Sequence, residues 1–341
     1  MTKVIIIGLD LAKNVFQAHG MQSDGGVAFR TKLPRSKVSA FFASQPCCIV
    51  AIEACASSHY WGRIFSDMGH EVKLIPPIYV KPFVKRQKND MADAEAIAEA
   101  ASRPTMRFVA VKSEEKQAAG MAFRTRDLFV RQKTQTINAL RGHLAEYGLV
   151  APKGPTYAGH LKAAVDSADC SLPGSVVALS KMLLGQIAAL QIKIDKLEQE
   201  IRLQVRRDET TSNLMTIPGV GPITAAAMMA FAPPPEIFAK GRDFSAWMGL
   251  TPKQHSSGGK ERLGRTSKMG QRDLRRLLIT GAMAVVRWAT RRGAPEGSWL
   301  WKMLQRKPRM LVAVALANRM ARVAWALMAN GGVYRDPSVA T

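Results

Sequence analysis

Acidic residues are scarce in this chain: 26 Asp and Glu stand against 49 Lys and Arg in 341 residues, for a formal net charge of +23. A globular protein so short of negative charge calls for a polyanionic partner, and for a cytoplasmic chain that partner is nucleic acid. The imbalance is also local. From Lys253 to Arg309 there are 15 Lys and Arg and only three acids, Glu261, Asp273 and Glu296, which argues against an evenly basic surface. Cysteines are few, and the four present (Cys47, Cys48, Cys55 and Cys170) lack the paired CxxC spacing of a zinc site. Buried, reduced thiols are therefore expected. No stretch of 18 or more apolar residues occurs, so no membrane span is expected. The chain begins directly on a strand signal, without the charged, apolar and small-residue regions of a secretory leader, which fits a cytoplasmic protein. There is no internal repeat and no low-complexity tract. The length suits two or three domains, each able to bury a core.

Residues 1 to about 105 alternate strand and helix signals. VIIIGLD, VFQAHGM and GVAFRTKL read as three successive strands, followed by a helix near residues 36–44. CCIVAIEA is a further apolar strand, SSHYWGRIFSDMG a helix closed by a glycine, and EVKLIPP another strand. Helices around residues 81–87 and 90–101 complete a βββαβαβα order, which suits a mixed sheet flanked by helices. Residues 113–207 carry no strand signal. One long helix is expected from Ser113 to Gly148, and Leu183, Ile187, Leu190, Ile194, Leu197 and Ile201 then form a heptad seam. That seam fits either an intramolecular helical hairpin or a dimerising coiled coil. From Thr210 onward the chain is helical again, broken by glycine-rich turns, with helices expected at 272–291 and 309–329. The resulting division is 1–108, an α/β domain; 109–207, a helical and coiled-coil segment; and 208–341, a helical domain.

Carboxylates occur where strands are otherwise apolar. Asp10 lies two residues past Gly8 in strand register, and Glu53 ends its own apolar strand. Burying such a charge costs several kcal/mol, on the order of the penalty for any unpaired ion, unless a partner compensates it. KNDMADAEAIAEA adds Asp90 and Asp93, three apart on one helix face. Each acid has an ordinary explanation alone: Asp90 as a helix N-cap, Glu53 paired with a Lys or Arg, Glu95 and Glu99 as solvated surface. Four carboxylates converging from two strands and a helix call instead for a hard cation, and in a phosphate-handling protein that is Mg²⁺, expected as two ions.

The C-terminal third offers phosphate-friendly segments. IPGVGPITA is a helix-hairpin-helix signature, with Gly219 and Gly221 letting backbone N–H groups approach a phosphate. QHSSGGKERLGR places two serines beside two glycines and Lys260, Arg262 and Arg265 in an exposed, flexible loop. Lys253 precedes this loop and Lys268 follows it, and the next helix carries Arg272, Arg275 and Arg276 opposite an apolar stripe. A serine here suits attack on a phosphodiester to form a phosphoserine link. No Ser-His-Asp triad is evident. His255 is not favoured as the base, and metal ions of the acidic site are the alternative activator. Chemistry alone does not choose between Ser256 and Ser257.

The order strand-Asp, strand-Glu, helix Asp-x-x-Asp resembles the active site of the RNase H-like fold, in its Holliday-junction-resolvase (RuvC-like) branch. The whole chain resembles the DEDD transposases of bacterial insertion sequences, the insertion-sequence 110 family. GLDLAK, IEACASSHYW, KNDMADAEAIAE, TIPGVGPITAAAMMA and FSAWMGLTPKQHSSGGKERLGRTSKMGQRDLRRLLITGA carry the resemblance over nearly the whole chain. IEACASS stands where IEATG is expected, which leaves the acid unchanged. The resemblance implies a metal site at Asp10, Glu53, Asp90 and Asp93 and a catalytic serine in a C-terminal transposase domain, in register with Ser257. It further implies donor and target DNA as substrates, a nucleoid-associated bacterial setting and, for some members, a non-coding bridge RNA as guide. Recombination joins two duplexes, so a homo-oligomer is expected, at least a dimer and a tetramer on DNA. Three other readings compete: a structure-selective endonuclease needing no serine, a non-catalytic nucleic-acid binder, and an actin-like kinase. The last lacks its further glycine-rich loops.

Overall fold

A computed structural model describes residues 4–85, 90–152, 154, 158–167 and 171–335. The chain divides into two compact units, Met1–Glu115 and Lys116–Thr341.

The first unit contains β1 (Val4–Asp10), β2 (Val15–Gln22), β3 (Val27–Pro34), α1 (Val38–Ala43), β4 (Ile49–Glu53), α2 (Ser58–Asp67), β5 (Glu71–Ile75), α3 (Pro77–Val80) and α4 (Asp90–Ala101). The strands form one mixed sheet in the order β3-β2-β1-β4-β5. β1, β2 and β3 pair antiparallel, while β4 runs parallel to both β1 and β5. The short apolar runs of β1 and β4 follow from their position at the centre, covered on both faces. Strand alternation then sorts the side chains. Ile7, Leu9, Val50 and Ile52 point to one face, where they pack with Phe42, Trp61 and Phe65 of α1 and α2. Ile6 and Ala51 point to the other, against Ala96, Ile97, Ala98 and Ala100 of α4. Gly8, Asp10 and Glu53 share this second face by register.

α4 is rich in alanine and lies very close to the sheet. A Cβ on Gly8 would sit 2.7 Å from the backbone nitrogen of Ala98 and closer still to the carbonyl oxygen of Ala94. Glycine at position 8 is thus what lets the helix backbone rest on β1. The helix expected at 81–87 is instead α3 followed by a 3-10 turn at Lys81–Phe83, and residues 86–87 lie outside the described residues. Proline at positions 77 and 82 restricts this stretch to short turns.

The second unit takes in most of α5 (Glu114–Ala145), then α6 (Ala158–Asp166), α7 (Gly174–Val205), α8 (Glu209–Met215), α9 (Pro222–Phe231), α10 (Gly241–Trp247), β6 (Pro252–Gln254), β7 (Leu263–Thr266), α11 (Arg272–Arg292), α12 (Trp299–Leu304) and α13 (Arg309–Asn330). α5 and α7 form an antiparallel hairpin: Arg126 pairs with Glu198, and Lys133 with Gln191. The Lys193 ammonium lies 5.6 Å from the centre of the Phe129 ring. Of the heptad seam, Ile187, Leu190, Ile194 and Ile201 are buried, and Leu183 packs with Ile137, Leu140 and Leu144. The seam therefore serves the intramolecular hairpin. Away from the seam, α7 leaves Met182, Ile192 and Leu203 exposed.

α8 to α13 enclose a second core that includes Leu214, Phe231, Phe244, Leu278, Val286 and Met320. Among the described residues α7 and α13 have the length and apolar character of a membrane span, but α13 buries Val312, Ala313, Ala317, Met320, Ala321 and Ala324 in this core. The thiols depart from expectation. Cys47 and Cys55 are exposed and Cys48 is half-buried, while Cys170 lies outside the described residues.

Candidate functional site

Because β1 and β4 are parallel and in register from Ile6/Ile49 to Leu9/Ile52, their carboxyl ends bring Asp10 and Glu53 to the same edge of the sheet. α4 enters over that edge with its first turn, which carries Asp90 and Asp93. Carboxylate oxygens of Asp10, Asp90 and Asp93 all lie within 4.8 Å of one another. Asp10 and Asp93 are half-buried and Asp90 is exposed. Glu53 stands beside this trio: its pKa is raised by burial and then by the negative charge of Asp93. The next thiol, Cys55, is pushed up by desolvation, then by Glu53 and Asp10. Beyond Glu53 the chain turns into α2 through Ser57, at φ 69°, and the Ser58 hydroxyl donates to the Cys55 carbonyl at 2.8 Å.

Three carboxylates so close repel one another unless a cation joins them. An all-oxygen donor set with an exposed side fits Mg²⁺, which takes few protein carboxylates and keeps positions for water and phosphate oxygens. The residues present therefore fit the expected metal.

One acid expected to be solvated surface has a defined task. Glu95 is three-quarters buried and accepts from Arg30 of β3 at 2.7 Å and from Lys85 at 2.6 Å. Its pKa is lowered, first by the Lys85 hydrogen bond. The contact ties residue 85 to α4 across the segment leading to Asp90. His19 lies buried in the same polar layer, its pKa lowered by burial. Glu99 pairs with Arg103 at the surface.

In the second unit the serine segment is an ordered β-hairpin rather than a flexible loop. β6 and β7 pair antiparallel, and beyond them Ser257 bridges Lys260. Lys260 N–H donates to the Ser257 carbonyl at 3.1 Å, with Gly258 and Gly259 at φ 56° and 74° between them. Two consecutive positive φ values define a type I′ turn, which is why the pair is Gly-Gly. Ser256 accepts the Arg262 N–H at 3.2 Å through its hydroxyl. Ser257 stands exposed at the tip. The His255 ring lies against Gly264 across the hairpin, where a Cβ would come within 2.7 Å of it.

The basic candidates divide by exposure. Lys253, Lys260, Arg262, Arg265, Lys268 and Arg272 are exposed. Arg275 is half-buried and donates to the Met248 carbonyl at 2.8 Å, so it fastens α11 to the preceding turn. Arg276 pairs with Asp127 of α5. The two glycines of IPGVGP also separate. Gly219, at φ 88°, abuts α11, where its Cβ would lie 2.8 Å from the Gly281 carbonyl. Gly221 is exposed at the N-terminus of α9 with open space around it.

Reasoning from sequence missed Gly8, Glu95 and the hairpin pairing of the serines. Gly8 had a signal in the small residue two before Asp10 and the alanines at all but one of the buried positions of α4. Glu95 had none, because its partners come from Arg30 and Lys85, far from one another in any periodic pattern.

Comparison with known proteins places the chain among transposases. A family model described as the transposase IS116/IS110/IS902 family matches residues 211–295, and a DEDD transposase model of the IS110 type matches residues 7–149. A probable family 20 transposase of Pseudomonas aeruginosa is 46% identical over 96% of this chain and 98% of its own. The transposase for insertion sequence element IS1328 of Yersinia enterocolitica is 38% identical over 98% of this chain and 99% of its own. The transposase for insertion sequence element IS1111A of Coxiella burnetii is 37% identical over 98% of this chain and 92% of its own.

Proposed function

Because this chain belongs to the IS110 family of DEDD transposases, we propose that it cuts and rejoins DNA through a carboxylate-held metal site and a serine nucleophile. The observation that carries the reading is the meeting of Asp10, Asp90 and Asp93 within 4.8 Å in a protein of net charge +23. Acids gathered so closely against their own repulsion, in so cationic a protein, suit a shared cation. Glu53, coupled to Asp93, completes the set. The sheet order β3-β2-β1-β4-β5, with the acids at the carboxyl ends of β1 and β4, supports the RNase H-like reading of residues 1–108. When bound, two Mg²⁺ ions supply charge stabilisation for the attacking and leaving oxygens of a phosphodiester.

The remaining chemistry belongs to the chain. Ser257 is exposed on a fixed turn, where its hydroxyl can reach a phosphorus without rearranging the hairpin. Its oxygen forms the phosphoserine ester as the DNA oxygen leaves, and a DNA hydroxyl later displaces the serine, so bond energy is kept for rejoining. Ser256, engaged with Arg262, holds the turn. Lys253, Lys260, Arg262 and Arg265 on this hairpin neutralise the phosphates nearest the serine, and Gly221 with the α9 N-terminus offers backbone N–H groups to another. Residues 109–207 act as the assembly segment and 208–341 as the transposase domain. The exposed Met182 and Ile192 of α7 support a homo-oligomer, a dimer that becomes a tetramer on DNA. Donor and target choice falls to a bridge RNA from the element's own non-coding end.

Strand cleavage of labelled element-end DNA, titrated with Mg²⁺, tests the reading. Cleavage should require the ion and be absent in Asp10→Asn. Full activity in that variant would mean that the acidic cluster is not the reaction site.

A further inference from the structure

A second concentration of cations lies away from the serine hairpin, in a cleft of about 210 Å³ between α5 and α11, floored by Phe231 of α9. Arg124, Arg126 and Arg131 of α5 and Arg272 and Arg276 of α11 line it, against two carboxylates, Asp127 and Asp273. The pairing inside it is uneven. Arg126 is spent on Glu198 of α7. Asp127 alone serves two guanidiniums, Arg131 at 3.3 Å and Arg276 on the facing helix. Both remain well exposed. Arg124 lies over the Phe231 ring, 5.9 Å from its centre, and neither it nor Arg272 has an ion-pair partner among the described residues. The cleft thus holds guanidiniums of two helices side by side with too little negative charge between them. It also receives the N-terminus of α11, 21 residues long, whose macrodipole adds positive potential.

We propose that this cleft binds the phosphodiester backbone of a nucleic-acid strand, through Arg124 and Arg131 of α5 facing Arg272 and Arg276 of α11. Guanidinium forks suit phosphate oxygens, and those held by Asp127 are already oriented, so little side-chain freedom is lost on binding. The strand would be gripped on both sides, by the hairpin helix α5 and by α11 of the transposase core. The site rests on the reading that the chain handles nucleic acid, and it extends that interface to α5, a helix that no phosphate-binding motif marks.

The full chain, its Arg124→Gln/Arg131→Gln variant and its Arg124→Lys/Arg131→Lys variant should be titrated with fluorescent duplex DNA and with single-stranded RNA at several salt concentrations. Each phosphate that is no longer neutralised lowers the slope of log K against log salt by about 0.9 for duplex DNA or about 0.7 for a single strand. Taking about 1 M salt as the reference, two lost contacts amount at about 0.1 M to roughly 60-fold weaker duplex binding for the double Gln variant. The double Lys variant, which keeps both charges, should retain the wild-type slope. Weakening confined to one probe identifies the strand that occupies the cleft. Wild-type affinity and slope for both probes in the double Gln variant would overturn the proposal. If the wild-type chain itself bound both probes without salt dependence, the broader nucleic-acid reading would fail instead.

Discussion

Replacing Gly8 with alanine should disable the acidic site without touching any acid. The added Cβ would lie 2.7 Å from Ala98 N and nearer still to the Ala94 carbonyl oxygen, both backbone atoms of α4. Ordinary contacts of this kind are about 3.5 Å or longer, so the helix must withdraw by roughly 1 Å. Rotating a side chain cannot relieve the clash, since neither partner is a side-chain terminus. Overpacking of this size costs about 1–3 kcal/mol, which the first unit can survive. The displacement reaches Asp93 directly, because it is the residue before Ala94, and so pulls Asp93 and Asp90 away from Asp10. A misplacement near 1 Å in a reacting constellation lowers rate by about 100-fold. Two measurements decide it: the initial rate of Mg²⁺-dependent strand cleavage, and the upward shift in Tm on adding Mg²⁺. Both should fall steeply in Gly8→Ala while the far-ultraviolet circular dichroism stays native. A folded Gly8→Ala protein with wild-type cleavage and metal-induced stabilisation would refute the claim that α4 is seated by this glycine.

Other outcomes follow from the same geometry. In the absence of metal, Asp10→Asn should melt higher than wild type by relieving repulsion with Asp90 and Asp93, and Mg²⁺ should reverse that order. Because the folded pKa of Glu53 lies above its ordinary value, its charge costs stability above the folded pKa and costs nothing below the ordinary one. Metal-free Glu53→Gln should therefore gain Tm near pH 7 and show no gain at about pH 3.5. Leu190→Ala removes a fully enclosed side chain from the α5–α7 hairpin, and should cost about 2–5 kcal/mol in denaturant unfolding. Met182→Glu/Ile192→Glu, on the exposed face of α7, should leave that stability unchanged while light scattering shows smaller assemblies.

Much of the first unit was legible because its signals are local. A strand buried on both faces announces itself by four β-branched residues in a row, and a carboxylate in such a register has few explanations. Asp90 and Asp93 were readable from spacing, and β1 to β5 appeared at the expected positions. The short β6–β7 hairpin was not readable, since its strands are only three and four residues long and exposed. No alternation of apolar and polar residues marks it. The seam of α7 had one sequence meaning and two spatial ones. The choice between α5 and a second chain rested on Arg126, Lys133 and Phe129, which meet Glu198, Gln191 and Lys193 only after folding. Gly219 and Gly221 show the same limit. Both sit in one turn, yet only Gly219, at φ 88°, is held against Gly281, while Gly221, at φ −94°, faces solvent.

The most direct test is whether a DNA strand becomes covalently joined to the protein. Labelled element-end DNA, incubated with Mg²⁺ and resolved on a denaturing gel, should give a protein-linked band with the wild-type chain. The band should survive in Ser256→Ala at reduced intensity. It should be missing in Ser257→Ala, in Asp10→Asn and after chelation of the metal, although each of these still binds DNA. An adduct formed by Ser257→Ala, or efficient cleavage by the wild-type chain with no adduct at any time point, would contradict a serine nucleophile served by the carboxylate site.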